Sequence, residues 1–183
     1  MNRLVTALAG LGLCGLMLAL TPLVGSGVAS AASNTATTLM PLNDGTQLET
    51  RATLDCHAAN GSCDFTVGAD RKTGDGIAGF PNDLWSRQST DIRSMDRTLY
   101  LDVHATSQYD RVFKEGGHDN VTTIYMGEGA PDKYQTTGRI DATDWRTGQS
   151  RTNVPVIMCT HIQVVYGGNN ITSPSTCAQA NFS

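Results

Sequence analysis

Residues 154–166 read Val-Pro-Val-Ile-Met-Cys-Thr-His-Ile-Gln-Val-Val-Tyr, the last long apolar run of the 183-residue chain. β-Branched side chains dominate it, which suits a pleated, buried surface and disfavours a helix. Pro155 cannot donate to a ladder, so it belongs at the start of a strand or at a bulge. Gly167-Gly168-Asn169-Asn170 then ends the run. Apolar residues on both parities predict a central strand covered on both faces. Thr160, His161 and Gln163 are its polar exceptions.

Residues 1–32 carry the pattern of a secretory signal peptide. Arg3 is a short positive region, Leu4 to Leu20 is almost wholly apolar, and Ala29-Ser30-Ala31 offers small residues for cleavage near Ala31 or Ala32. The expected mature chain, 33–183, has the length of one domain with room for a real core. Without Arg3, 12 Lys+Arg face 17 Asp+Glu, a net charge of −5. A mildly acidic chain with no basic patch is not expected to bind nucleic acid or anionic membrane. Arg outnumbers Lys ten to three, and the Ala-, Gly- and Thr-rich composition resembles the product of a GC-rich bacterial genome.

Cys14 leaves with the signal, and four cysteines remain. In an exported chain they predict two disulfides. Residues 46–55 alternate, with Leu48, Leu54 and then Cys56 on the apolar parity. After Asn60-Gly61, a strong hairpin signal, Cys63, Phe65 and Val67 share the apolar parity of the next strand. Both thiols therefore face the same side, which predicts Cys56–Cys63. Cys159–Cys177 follows partly by elimination and partly because Gly167-Gly168 and Pro174 let the chain turn back.

The remaining strands are short. Leu99, Leu101, Val103 and Ala105 alternate with Tyr100, Asp102 and His104. Residues 108–114 and 121–126 suggest a second hairpin, and 136–143 a weak strand. Residues 33–41 read as a loose leader. Frequent turns without a convincing long helix predict an all-β fold, an antiparallel β-sandwich or small barrel of about six to eight strands.

Gly68 to Arg97 is the longest polar stretch, expected to be a loop holding at most a short helix near Asn82. Long loops in compact domains are usually functional, so the candidate binding residues lie here. Asp70, Asp75 and Asp83 could offer oxygen ligands to calcium, although the stretch lacks an EF-hand pattern. Phe80 and Trp85 could stack on a sugar, or could anchor the loop in the core.

Catalytic signals are sparse. His57, His104, His118 and His161 form no zinc-binding spacing, no nucleophile elbow is present, and no metal or cofactor is expected. Asp102 and His104 share an outward strand face, an arrangement that could serve acid/base chemistry but equally suits a solvated surface. The sequence therefore predicts a secreted, disulfide-stapled binding or structural module. Its expected partner is an extracellular protein or glycan. The alternatives are a small protease inhibitor and a hydrolase using Asp102 and His104.

Overall fold

The computed structural model describes residues 32–107, 111–115 and 119–183. Residues 1–31 of the expected signal peptide lie outside the described residues, as does His118. Among those described, no helix is long and apolar enough to cross a membrane.

Two antiparallel sheets make the expected sandwich. The first contains β1 (Ser33–Pro41), β2 (Gln47–His57), β3 (Ser62–Thr73), β9 (Gln135–Asp144) and β6 (Leu99–Thr106) in that spatial order, with β4 (Gly76–Ala78) beside β3. The second runs β11 (Asn169–Thr172), β10 (Val156–Tyr166), β5 (Trp85–Ser94), β8 (Asn120–Met126) and β7 (Arg111–Glu115). The tail strand β12 (Thr176–Ala180) also pairs with β10, so β11 and β12 succeed each other along one edge of it. A short 3-10 turn, Pro131–Tyr134, leads into β9.

The twelve strands among the described residues exceed the expected number for two reasons. Residues 33–41 are a nine-residue edge strand and not a loose leader: β1 pairs with β2 from Ser33 opposite Asp55 to Pro41 opposite Gln47. The polar stretch 68–97 is likewise no loop. It completes β3 and supplies β4 and β5, and β5 lies between β10 and β8.

The packing explains why β5 is hidden in the sequence. Its inward residues Ser86, Gln88, Thr90 and Ser94 are buried but polar. They belong to a hydrogen-bonded layer between two apolar clusters. The Gln88 amide donates to the Tyr125 hydroxyl at 3.3 Å and to Thr136 at 3.4 Å. Thr123 and Tyr125 share protons with Thr136 at 2.7 and 2.6 Å, and Thr90 with Thr160 at 3.0 Å. Buried polar groups are tolerated when most of their donors and acceptors are paired this way; only the Gln88 side-chain oxygen Oε1 in this set has no partner among the described residues. On one side lie Leu54, Phe65, Val103, Ile140 and Met158; on the other Leu48, Phe80, Leu84, Tyr134 and Ile162.

The run at 156–166 is an interior strand of its sheet, between β5 and the edge strands β11 and β12, with Pro155 just before it. It is covered on one face only. Val156, Met158, Thr160, Ile162, Val164 and Tyr166 are buried, while Ile157, Cys159, His161, Gln163 and Val165 form a half-buried outer face. The Gly167-Gly168 turn takes positive φ at both residues, 50° and 80°. That is the hairpin geometry glycine permits without strain.

Both disulfides pair as expected, Cys56 with Cys63 as the strand parity requires and Cys159 with Cys177 across the returning tail. Each joins directly opposed residues of adjacent strands. Their surroundings differ. Cys56 and Cys63 are fully buried among core residues, whereas Cys177 is exposed on the outer face. Thiol–disulfide exchange needs access to a sulfur. Limited dithiothreitol followed by alkylation and peptide mapping should therefore label Cys159 and Cys177 first. Prior labelling of Cys56 and Cys63 would contradict this burial.

Candidate functional site

The residues singled out in the polar stretch are not gathered into one site. Asp70 lies on β3, directly opposite Glu49 of β2, on the outer face of the first sheet. Its Oδ2 is 3.5 Å from Arg51 Nη2, and its buried Oδ1 has no hydrogen-bond partner among the described residues. Burial raises the Asp70 pKa to about 6; the Arg51 charge opposes the shift and Glu49 adds to it. Glu49 takes the closer contact to Arg51, at 2.6 Å.

Asp75 is exposed in the β3–β4 turn, where its N–H donates to Thr73 Oγ1 at 3.3 Å. Asp83 accepts the Gly167 N–H at 2.8 Å and so ties the β10–β11 turn to the chain entering β5. Phe80 is buried in the second apolar cluster, which corrects its place among exposed stacking candidates and leaves it as a core anchor. Trp85 starts β5 on the opposite side of the sandwich from Asp70, 37 % exposed, facing Met126 and Val165 across the strands. Among the described residues, no group of three or more His, Cys, Asp or Glu side chains is arranged to hold a metal ion.

Asp102 and His104 do meet. His104 Nε2 is 3.1 Å from Asp102 Oδ2 and 3.8 Å from Asp141 Oδ2. Asp141 stands opposite Asp102 and also accepts from Arg139 Nε at 2.9 Å. Farther along the same face, His57 Nε2 lies 3.5 Å from Asp64. These pairs are solvated, and exposed ion pairs contribute little to stability. His104→Ala should shift stability by no more than about 0.5 kcal/mol. Urea midpoints of the two proteins would reveal any larger loss.

The more distinctive feature is a cleft of about 500 Å³ where β5 turns into β6. Its apolar lining is Ile92, Leu99 and Leu101; Arg93, Arg97 and Asp119 supply charge, and Cys159 of the exposed disulfide borders it. The corner is firmly held. Asp96 accepts from the Thr98 amide at 3.0 Å, the Thr98 hydroxyl at 2.7 Å and Ser94 Oγ at 3.1 Å. Arg151 reaches over from the β9–β10 connection to Thr98 Oγ1 at 2.9 Å and to Asp96 at 3.5 Å. This network fixes Arg97 at φ 57°, the one non-glycine residue with positive φ among those described.

Arg151 is thus a structural arginine. The guanidinium groups of Arg93 and Arg97 have no hydrogen bond or ion pair among the described residues, and both border the cleft. Asp91, also on the rim, is engaged by the Asn120 side-chain amide. Sequence reasoning reached Tyr100 as an outward strand residue but missed Arg93, Arg97 and Asp119. The Asp96-Arg97-Thr98 turn signal was present, and only the fold brings it against β5.

These elements define a two-sheet β-sandwich module with an open corner. No protein-family model matches the chain, and no curated protein matches it. Among solved structures it is similar to a cohesin module of a Clostridium perfringens family 33 glycoside hydrolase. The TM-score is 0.43 at 8 % identity, over 84 % of this chain and 98 % of that one. It is also similar to a structure concerned with pH-induced modulation of Streptococcus parasanguinis adhesion by Fap1 fimbriae. There the TM-score is 0.37 at 10 % identity, over 82 % and 94 % of the two chains. Neither likeness carries a function across.

Proposed function

We propose that the chain is a secreted, non-enzymatic binding module that recognises an extracellular partner at the β5–β6 corner. The observation that carries this reading is the cleft itself: an apolar floor beside two guanidinium groups that have no hydrogen bond or ion pair among the described residues. Ligand sites combine apolar lining with a few placed polar groups in this way. Two disulfides and a hydrogen-bonded turn hold the frame around it, so little ordering accompanies binding. Disulfides also suit an oxidising compartment, in keeping with the leader-like residues 1–32.

The test has two arms. N-terminal sequencing of the exported protein should find a start near Ser33, and an intact Met1 in a membrane fraction would oppose secretion. Immobilised protein should retain a specific extracellular protein or glycan that the Arg93→Glu/Arg97→Glu variant releases. Equal retention by a folded variant would remove the corner from the function. An activity screen against proteins, esters and glycans, with protease inhibition measured alongside, distinguishes the hydrolase and inhibitor alternatives.

A further inference from the structure

The outer face of the second sheet carries a depression separate from the corner. It measures about 340 Å³ and is lined by Arg87, Ser89 and Asp91 of β5, His161 and Gln163 of β10, and Thr172 of β11. Register explains its shape. Ser89 stands directly opposite His161, Arg87 opposite Gln163 and Asp91 opposite Cys159. Residues two apart on a strand share a face, so the short Ser89 side chain sits among the longer ones of Arg87, Asp91 and His161. Thr172 stands opposite Gln163 on the other flank of β10.

Hydrogen bonds hold the polar groups around it in place. The Gln163 side-chain amide donates to Asn170 Oδ1 at 2.9 Å, and the Asn120 amide donates to Asp91 Oδ1. Amide and carboxylate oxygens accept more than one hydrogen bond, and the imidazole of His161 and the hydroxyls of Ser89 and Thr172 can each donate or accept. One row farther along β5 the character changes. Trp85, 37 % exposed, stands between Val165 of β10 and Met126 of β8, and Met126 is 55 % exposed. From Trp85 to Asp91 this face runs about 20 Å, the span of a short oligosaccharide.

We propose that this face binds a neutral oligosaccharide, whose hydroxyls meet Ser89, Asp91, His161 and Gln163 while one sugar ring lies on Trp85. The backbone beneath leaves no place for an added peptide strand: β5 pairs with β10 on one side and β8 on the other, and β10 pairs with β5 and with β11 and β12. Recognition here is by side chains alone. Arg87 and Asp91 bring both signs of charge to the depression. That suits hydroxyls, which donate and accept, better than an anion or a cation. An apolar partner or a lipid surface would bury these groups at a cost. A sugar presents apolar C–H faces between its hydroxyls, and the Trp85 row beside the polar rows matches both parts. This site stands apart from the β5–β6 corner and does not rest on the reading given for it.

The probes are maltotriose, cellotriose and N-acetylchitotriose, each titrated into the isotope-labelled mature protein and followed by NMR. The expected result is saturable shifts, with at least one of them, at the Trp85 indole and at Arg87, Ser89, His161 and Gln163. Trp85→Ala or Gln163→Ala should weaken that binding by about tenfold. Ser89→Phe fills the depression without removing a strand hydrogen bond and should abolish it, with urea midpoints confirming that each variant is folded. Arg93→Glu with Arg97→Glu should leave saccharide binding unchanged.

No shift with any of the three trisaccharides, or equal binding by folded Trp85→Ala and Ser89→Phe variants, would overturn the proposal and leave the corner reading untouched. Binding of trigalacturonate alone would overturn the neutral class, and shifts confined to Arg93, Arg97 and their neighbours would overturn the site. Shifts of the Trp85 face that appear on concentrating the protein without saccharide would make the occupant a second copy of the chain and also overturn it.

Discussion

Asp70→Asn is expected to stabilise the folded chain by up to about 3 kcal/mol at pH 8 and to change it little at pH 4. Asp70 is 4 % exposed, and one of its carboxylate oxygens has no hydrogen-bond partner among the described residues. Burial lifts its pKa from 3.8 to about 6, with Arg51 opposing and Glu49 reinforcing the shift. Each pKa unit corresponds to about 1.4 kcal/mol of differential interaction between the two protonation states.

A raised carboxylate pKa means that between about pH 4 and 6 the folded state holds a proton the unfolded chain has lost. Stability therefore falls as pH rises through that window, and the loss is complete above about pH 6. Asparagine keeps the shape and cannot ionise, so it removes the loss. Contact with Arg51 at 3.5 Å makes the 3 kcal/mol figure an upper value. Hydrogen bonds hold the Asp96 and Asp144 carboxyls below the usual range against the opposing effect of desolvation. Such groups lose stability on acidification, so the difference between variant and parent isolates Asp70. Urea unfolding of both proteins at pH 4 and pH 8 gives that difference. A gain independent of pH, or a less stable variant at pH 8, would refute the assignment.

Phe80→Ala is expected to destabilise the chain by about 3–5 kcal/mol, the usual range for deleting a buried phenylalanine. The ring is 3 % exposed and meets Tyr134 edge-on at 4.9 Å and 86°, and Tyr166 at 5.7 Å and 72°. Tyr134 also donates to the Phe80 carbonyl at 3.3 Å and to the Gly127 carbonyl at 2.9 Å. Removing the ring leaves a cavity beneath the chain that enters β5. Trp85→Ala, five residues on and partly exposed, is the matched control and should cost less. Denaturant midpoints decide the comparison. A Phe80→Ala variant with the parental midpoint would return Phe80 to the list of residues available to a ligand.

Where residue type and position coincide, the fold was legible. The Cys56–Cys63 hairpin could be read because Leu54, Phe65 and Val67 mark the inward parity on both sides of Asn60-Gly61. β6 could be read from Leu99, Leu101 and Val103. β5 could not, because Gln88 and Thr90 face inward as polar residues whose partners Tyr125, Thr136 and Thr160 lie far along the chain. β1 was hidden for a related reason: its nine residues are mostly exposed, and backbone pairing with β2 holds them in place.

The sequence by itself determined the all-β class, the Cys56–Cys63 hairpin and 156–166 as an interior strand, since periodicity and cysteine parity are local properties; Cys159–Cys177 then followed from the cysteines that were left and the turn after Tyr166. Tertiary structure decided which charges are engaged among the described residues. Arg151, Arg93 and Arg97 are alike in the sequence. Only the crossing from β5 to β6 brings Arg151 onto Asp96 and leaves the other two facing a cleft. An ion pair formed across 55 residues is set by how the sheets stack, and that stacking is not encoded in the neighbours of any one residue.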